Sequence, residues 1–160
     1  MAIEEKLIVR LKNKEVKKKH NINQIASLKE QIKEFEAETG EKFLEEGDML
    51  LFDAKYIWYA DMIAYHRLGR SLTGATYAAL PHGPQLNNYK ELIDLIREAD
   101  ESTAKPLTME ERKIIMKVAL TFPTKQSIYD AVHREAVWKN KATGAIIPYS
   151  DSAKLTEIHL

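Results

Sequence analysis

The 160-residue sequence contains no cysteine. That excludes disulfides, thiolate nucleophiles and every zinc site that needs sulfur, and it suits a reducing compartment. Net charge is missing as well: 24 Lys and Arg stand against 24 Asp and Glu, so no global field draws the chain towards nucleic acid or a membrane. No uninterrupted apolar run approaches the ~20 residues of a bilayer span. Glycine and proline are sparse, at 6 and 5 residues, so the places where they cluster are true punctuation. The opening Met-Ala-Ile-Glu-Glu lacks the basic-then-apolar order of a signal peptide, and the expected location is cytoplasmic, with no membrane partner.

Signatures of common chemistries are also absent. No two of His20, His66, His82, His133 and His159 stand at the i,i+4 spacing of a helical metal site. There is no Gly-x-Ser-x-Gly elbow and no Gly-rich loop ending in Gly-Lys-Ser/Thr. Asp53 and Asp61, on one candidate helix, could serve acid–base chemistry. They read instead as caps or as partners for Arg and Tyr on neighbouring helices, and His133 reads as a hydrogen-bonded structural histidine. No catalytic, cofactor-binding or metal-ligating residue is assigned, no cofactor is expected, and the chain reads as a non-enzyme. A hydrolase built on Asp61, His133 and the Thr76 region is the least favoured reading.

What the chain does have is a nearly all-apolar stretch at residues 49–65, running on to Gly69. Gly69 suits a left-handed helix terminus, and His66, Arg67 and Arg70 suit the negative end of the helix dipole. At ~100° per residue, Leu51, Ala54, Trp58, Met62 and Tyr65 form one stripe and Phe52, Tyr56, Tyr59 and Ile63 another. Only Asp53, Lys55 and Asp61 carry charge. A helix this apolar belongs at the centre of a domain.

The flanks are organised around it. Arg10, Lys12, Lys14, Lys17, Lys18 and Lys19 make a basic run, and acids dominate from Glu30 to Asp48. Leu7, Ile8 and Leu11 suggest one short helix. Ile25, Leu28, Ile32 and Phe35 mark a second, capped by Asn21 or Asn23. The basic run reads as a solvated face and connector, with a phosphate-contacting or partner-binding arm as the functional alternative. Beyond Gly69, residues 75–80 form a short extended segment ahead of a rigid Pro81-His82-Gly83-Pro84 turn. Leu86, Tyr89, Leu92, Ile93 and Ile96 then mark a helix ending near Asp100. Thr108 and Glu111 form a capping box for a helix carrying Ile114, Ile115, Val118, Ala119 and Phe122, which Pro123 stops. Thr124 caps a further helix with Ile128, Ala131 and Val132, extended or kinked from His133 to Trp138. A polar turn at 139–144 leads to a second extended segment at 145–149, placed to pair with 75–80. The expected fold is mainly α: a helical domain around a central hydrophobic helix with a small β element, plus an N-terminal helical extension. The boundaries are 1–47 for the extension, 48–150 for the domain and 151–160 for a C-terminal tail.

Three blocks carry a resemblance. Tyr59-Ala-Asp61 ends a helix begun at Leu50-Leu51. Gly69-x-x-Leu-Thr-Gly-x-x-Tyr77-x-Ala-Leu-Pro-His-Gly-Pro84 follows. His133 and Trp138 come last, with Gly144 and Ile147-Pro148 beyond. This pattern resembles the Panacea, or SocA-like, antitoxin domain, formerly described as phage-associated, over about residues 48–150. The chain departs from the usual pattern at Leu72 (usually Ile), His82 (usually Tyr), Val132 (usually Thr) and Gln85 (often Val). The resemblance implies an antitoxin of a toxin–antitoxin system, with phage defence as the setting. Such a protein neutralises a cognate toxin, encoded by an adjacent gene, through direct protein–protein contact. Tyr77, Pro81, His82, Gly83 and Trp138 are the partner-binding candidates, because stiff turns lose little entropy on docking and aromatics dominate interface energies. The alternative is a DNA-binding transcriptional regulator acting on its own operator, which needs a basic recognition helix.

Overall fold

The computed structural model describes residues 22–40, 50–100, 102 and 104–160. The basic run at 10–19, the apolar residues Leu7, Ile8 and Leu11, and Asn21 lie outside the described residues. The chain is mainly α. Helices α1 (Ile22–Thr39) and α2 (Leu50–Leu68) precede a hairpin of β1 (Tyr77–Leu80) and β2 (Gly83–Leu86). Then come α3 (Tyr89–Glu98), α4 (Met109–Thr121), α5 (Lys125–Arg134), the short α6 (Ala136–Lys139), β3 (Ile146–Ile147) and a 3-10 turn over Tyr149–Lys154. The strands form one antiparallel sheet in the order β2-β1-β3, with Tyr77 opposite Ile147, as the two extended segments suggested.

Helix α2 is the centre. Every side chain from Ala54 to Ala64 is buried, the outcome required of a helix apolar on most faces. Around it pack α1, α4, α5, β2 and the 3-10 turn. Tyr65, the last member of the Leu51–Tyr65 stripe, stands at the solvent end of the helix and stacks its ring on Tyr149. Gly69 ends the helix at φ +76°, and its N–H donates to the Tyr65 carbonyl at 3.0 Å.

Helix α1 joins the same core. Ile25, Leu28, Ile32 and Phe35 are buried on its inner face, and Phe35 meets Tyr56 with ring centroids 5.2 Å apart. Lys29 donates to the carbonyls of Arg97 and Ala99 at 2.6 and 2.7 Å. A cation there satisfies the open carbonyl end of α3. Asn23 lies inside α1 and is not its cap.

Both sequence-read caps form. Thr108 accepts from the Glu111 N–H while the Glu111 carboxylate accepts from the Thr108 N–H, and Thr124 and Ser127 repeat the exchange at α5. Two assignments change. Leu86 lies in β2 and not in α3, and Gly83 and Pro84 are strand residues, so the turn proper is Pro81-His82. Pro84 is tolerated because β2 is an edge strand. The α5–α6 break falls at Glu135, whose buried carboxylate accepts from the Tyr59 hydroxyl at 3.1 Å and from the N–H groups of Thr156 and Glu157 at 2.9 Å each. The last residues are therefore docked, with Leu155 and Ile158 buried.

Candidate functional site

The hairpin turn is the best-built surface feature. Two residues, Pro81 and His82, link Leu80 to Gly83. The carbonyls at such a tip usually face water. Here the Trp138 indole N–H donates to the Leu80 carbonyl at 2.8 Å, and His133 Nε2 lies 3.2 Å from the Pro81 carbonyl. His133 Nδ1 is 2.6 Å from the Tyr129 carbonyl, and its ring sits between those of Tyr129 and Trp138, at 4.2 and 4.5 Å. Helices α5 and α6 thus hold the turn from outside the sheet. From the other side the Ala79 N–H donates to Ala145 at 2.8 Å, and Gly144 donates back to Ala79 at 2.7 Å.

Gly83 cannot be another residue without movement. It sits at φ +116°, and a Cβ there would lie 3.0 Å from Val132 Cγ2 and 3.3 Å from Lys55 Cε. Lys55 runs beneath the hairpin, almost wholly buried, with its ammonium 5.6 Å from the Tyr129 ring centroid. Burial lowers its pKa to about 8.

Two hollows flank the turn. One, of about 140 Å³, is lined by Lys55, Leu80, Pro81, His82, Gly83, Pro84, Gln85 and Tyr89. The other, of about 250 Å³, is lined by Leu80, Pro81, Trp138, Lys139 and Lys141 among others. Leu80 and Pro81 border both, so the turn is a ridge between two concavities.

The strand that carries the ridge is fixed by Asp61. Its carboxylate is wholly buried and accepts from the N–H groups of Leu72 and Thr73 at 2.9 Å each, from the Thr73 hydroxyl at 2.5 Å and from the Tyr77 hydroxyl at 2.6 Å. Burial raises its pKa to about 6, because desolvation outweighs these hydrogen bonds, which pull the other way. The Tyr77 phenol is pushed well above its ordinary value by burial and by the adjacent carboxylate.

The five expected partner residues therefore divide. Pro81 and His82 are exposed at the tip, and Trp138 is half-buried beside them. Tyr77 and Gly83 are buried and present no surface; they aim the turn. Asp61 does partner a tyrosine, though on a strand, and also anchors the loop after α2. Lys55 and Glu135 were not singled out. Their signal was available for Lys55, a lone cation in a run too apolar to face water, but not for Glu135, whose partners lie in the distant last residues.

Helix α5 carries both signs: Arg134 is ion-paired with Glu157, and Gln126 donates to Asp130 at 2.8 Å. Among the described residues no cluster of three or more His, Cys, Asp or Glu is placed to hold a metal, and no helix is long and apolar enough to cross a membrane.

No curated protein and no solved structure matches the chain. A family model does: the antitoxin SocA-like, Panacea domain matches residues 54–139, more than half of the sequence and the span from the buried central helix to the end of α6. With α2 from Ala54 onward, the hairpin and the Trp138 clamp inside that span, the chain belongs to the SocA-like antitoxin, Panacea domain family.

Proposed function

We propose that this protein is an antitoxin that neutralises a protein toxin, encoded by an adjacent gene, by binding it directly. Family membership is the observation that carries the reading. The geometry supports a binder over a catalyst: a stiff exposed tip, Pro81-His82, stands between two hollows and is held by His133 of α5 and Trp138 of α6. A tip already fixed in place loses little conformational entropy when it docks. Trp138 and His82 offer the aromatic area that dominates interface energies. His82 stands where the family usually has tyrosine, so it is the residue to adapt the tip to this chain's own partner.

Co-expression tests the reading. The adjacent gene is expected to be toxic alone, harmless beside this protein, and its product is expected to co-purify with it. A neighbour that stays lethal in the presence of this protein, or is harmless by itself, overturns the proposal.

A further inference from the structure

Helix α4 is apolar on two faces. Its inner face buries Ile114, Ile115, Val118 and Ala119. Its outer face carries Met109, Met116 and Leu120 at 72%, 45% and 75% exposure. Met109, Lys113, Met116 and Leu120 follow 4-3-4 spacing, which places them on one stripe about 60° wide, with Lys117 at its border. Lys113, Met116, Lys117, Leu120 and Thr121 border a shallow, open patch along this one helix. Exposed side chains of this size are normal singly, but a row of them along one helix marks a contact surface.

The charges around the stripe select the occupant. Among the described residues Lys113 has Glu110 as its anion, at 3.7 Å, and both side chains are more than half exposed, so the pair is weak. Lys117 stands near Arg67 of α2, and burial together with that like charge lowers its pKa. A second copy of this chain, docked antiparallel on the stripe, would set lysines against lysines. A nucleic acid would meet the lysines but leave the methionines and Leu120 without apolar partners. An amphipathic helix with an apolar seam flanked by Asp or Glu satisfies both parts at once.

Resting on the antitoxin reading, we infer that the outer face of α4 is a second docking surface, which receives an acidic amphipathic helix of the toxin. Met116 and Leu120 are its apolar anchors, and Lys113, Lys117 and Arg67 set the orientation of the incoming helix.

The test uses the full chain and the purified product of the adjacent gene, in a binding titration at two salt concentrations. Two double variants are compared with the wild type: Met116→Glu with Leu120→Glu, and Lys113→Glu with Lys117→Glu. All four positions face solvent in part or wholly, so melting temperatures should stay close to that of the wild type. Each double variant is expected to weaken binding at least about thirtyfold. The loss in the lysine variant should shrink as salt rises, since the charges it removes are screened. If the wild type binds and both variants bind within about threefold of it, this inference falls and the antitoxin reading stands. If the wild type itself does not bind, both fall. A wild-type dimer in sedimentation that the Met116→Glu, Leu120→Glu variant dissociates also overturns the inference, because the stripe is then a self-contact.

Discussion

The hairpin tip and the outer face of α4 present apolar surface to water in opposite ways. At the tip, the Leu80 carbonyl accepts from Trp138, His133 Nε2 lies 3.2 Å from the Pro81 carbonyl, and the strand beneath is pinned through Tyr77 to Asp61. On α4, the inner face is fixed in the core while Met109, Met116 and Leu120 project with no described side chain covering them. The tip is held rigid by hydrogen bonds, and the helix face is rigid only at its backbone. A rigid tip favours shape-specific recognition, whereas long unbranched methionines adapt to whatever they meet. One fold thus joins a stiff surface feature to a pliable one.

Breaking the tip at its root should give the largest effect. Asp61→Ala leaves four donors, three of them buried, without an acceptor, and is expected to cost roughly 3–5 kcal/mol in urea denaturation. A loss below about 1 kcal/mol would mean that water replaces the carboxylate and that the hairpin is not held from this side. Gly83→Ala comes next, at roughly 2–3 kcal/mol, since it forces a side chain into a positive-φ position against Val132 and Lys55. If Gly83→Ala is as stable as the wild type, Lys55 and Val132 yield and the turn is softer than its hydrogen bonds suggest.

The pH dependence sharpens the same contrast with a smaller effect. The folded-state pKa of Asp61 is about 6, against an ordinary 3.8, so between these values the folded chain binds a proton that the unfolded chain does not. Stability should therefore fall as pH rises through this window, with the cost of the buried charge complete above it. Asp61→Asn should remove that part of the slope in melting temperature against pH. A slope unchanged in the variant would assign it to other groups. Lys55 should lose its proton near pH 8, visible as a side-chain carbon shift in NMR. The smallest structural effect belongs to the exposed tip: His82→Ala should change stability by less than about 0.5 kcal/mol while weakening toxin binding about tenfold. A variant that binds as the wild type does would move recognition away from the tip and leave α4 as the main contact.

Much of this was legible in the residues. The central helix announced itself because burial on all sides leaves no amphipathic stripe, only an apolar run ended by Gly69. The caps at Thr108 and Thr124 were legible because a capping box is a local exchange over three residues. The pairing of 75–80 with 145–149 was legible because both segments were short, apolar and bounded by punctuation. The strand at Gly83–Leu86 was not, because glycine and proline both argue against a strand until an edge position excuses them. At the site, the tip was legible from Pro81 and Gly83, but the division of labour within it was not. An aromatic such as Tyr77 has the same composition signal whether it packs inward or meets a partner.

By itself the sequence determined the elements whose causes are local: which segments are helical, where they stop, and that one of them must be interior. Only the tertiary structure decided what depends on residues far apart in the chain. It turned Asp61 into an anchor for β1, carried Glu135 to the last residues, set His133 and Trp138 beside the carbonyls of a turn some fifty residues earlier, and left Met109, Met116 and Leu120 of α4 exposed. The physical reason is that periodicity and capping are nearest-neighbour effects within one element. Which polar group is buried against which, and which apolar face goes unmatched, is settled when all the elements compete for the same core.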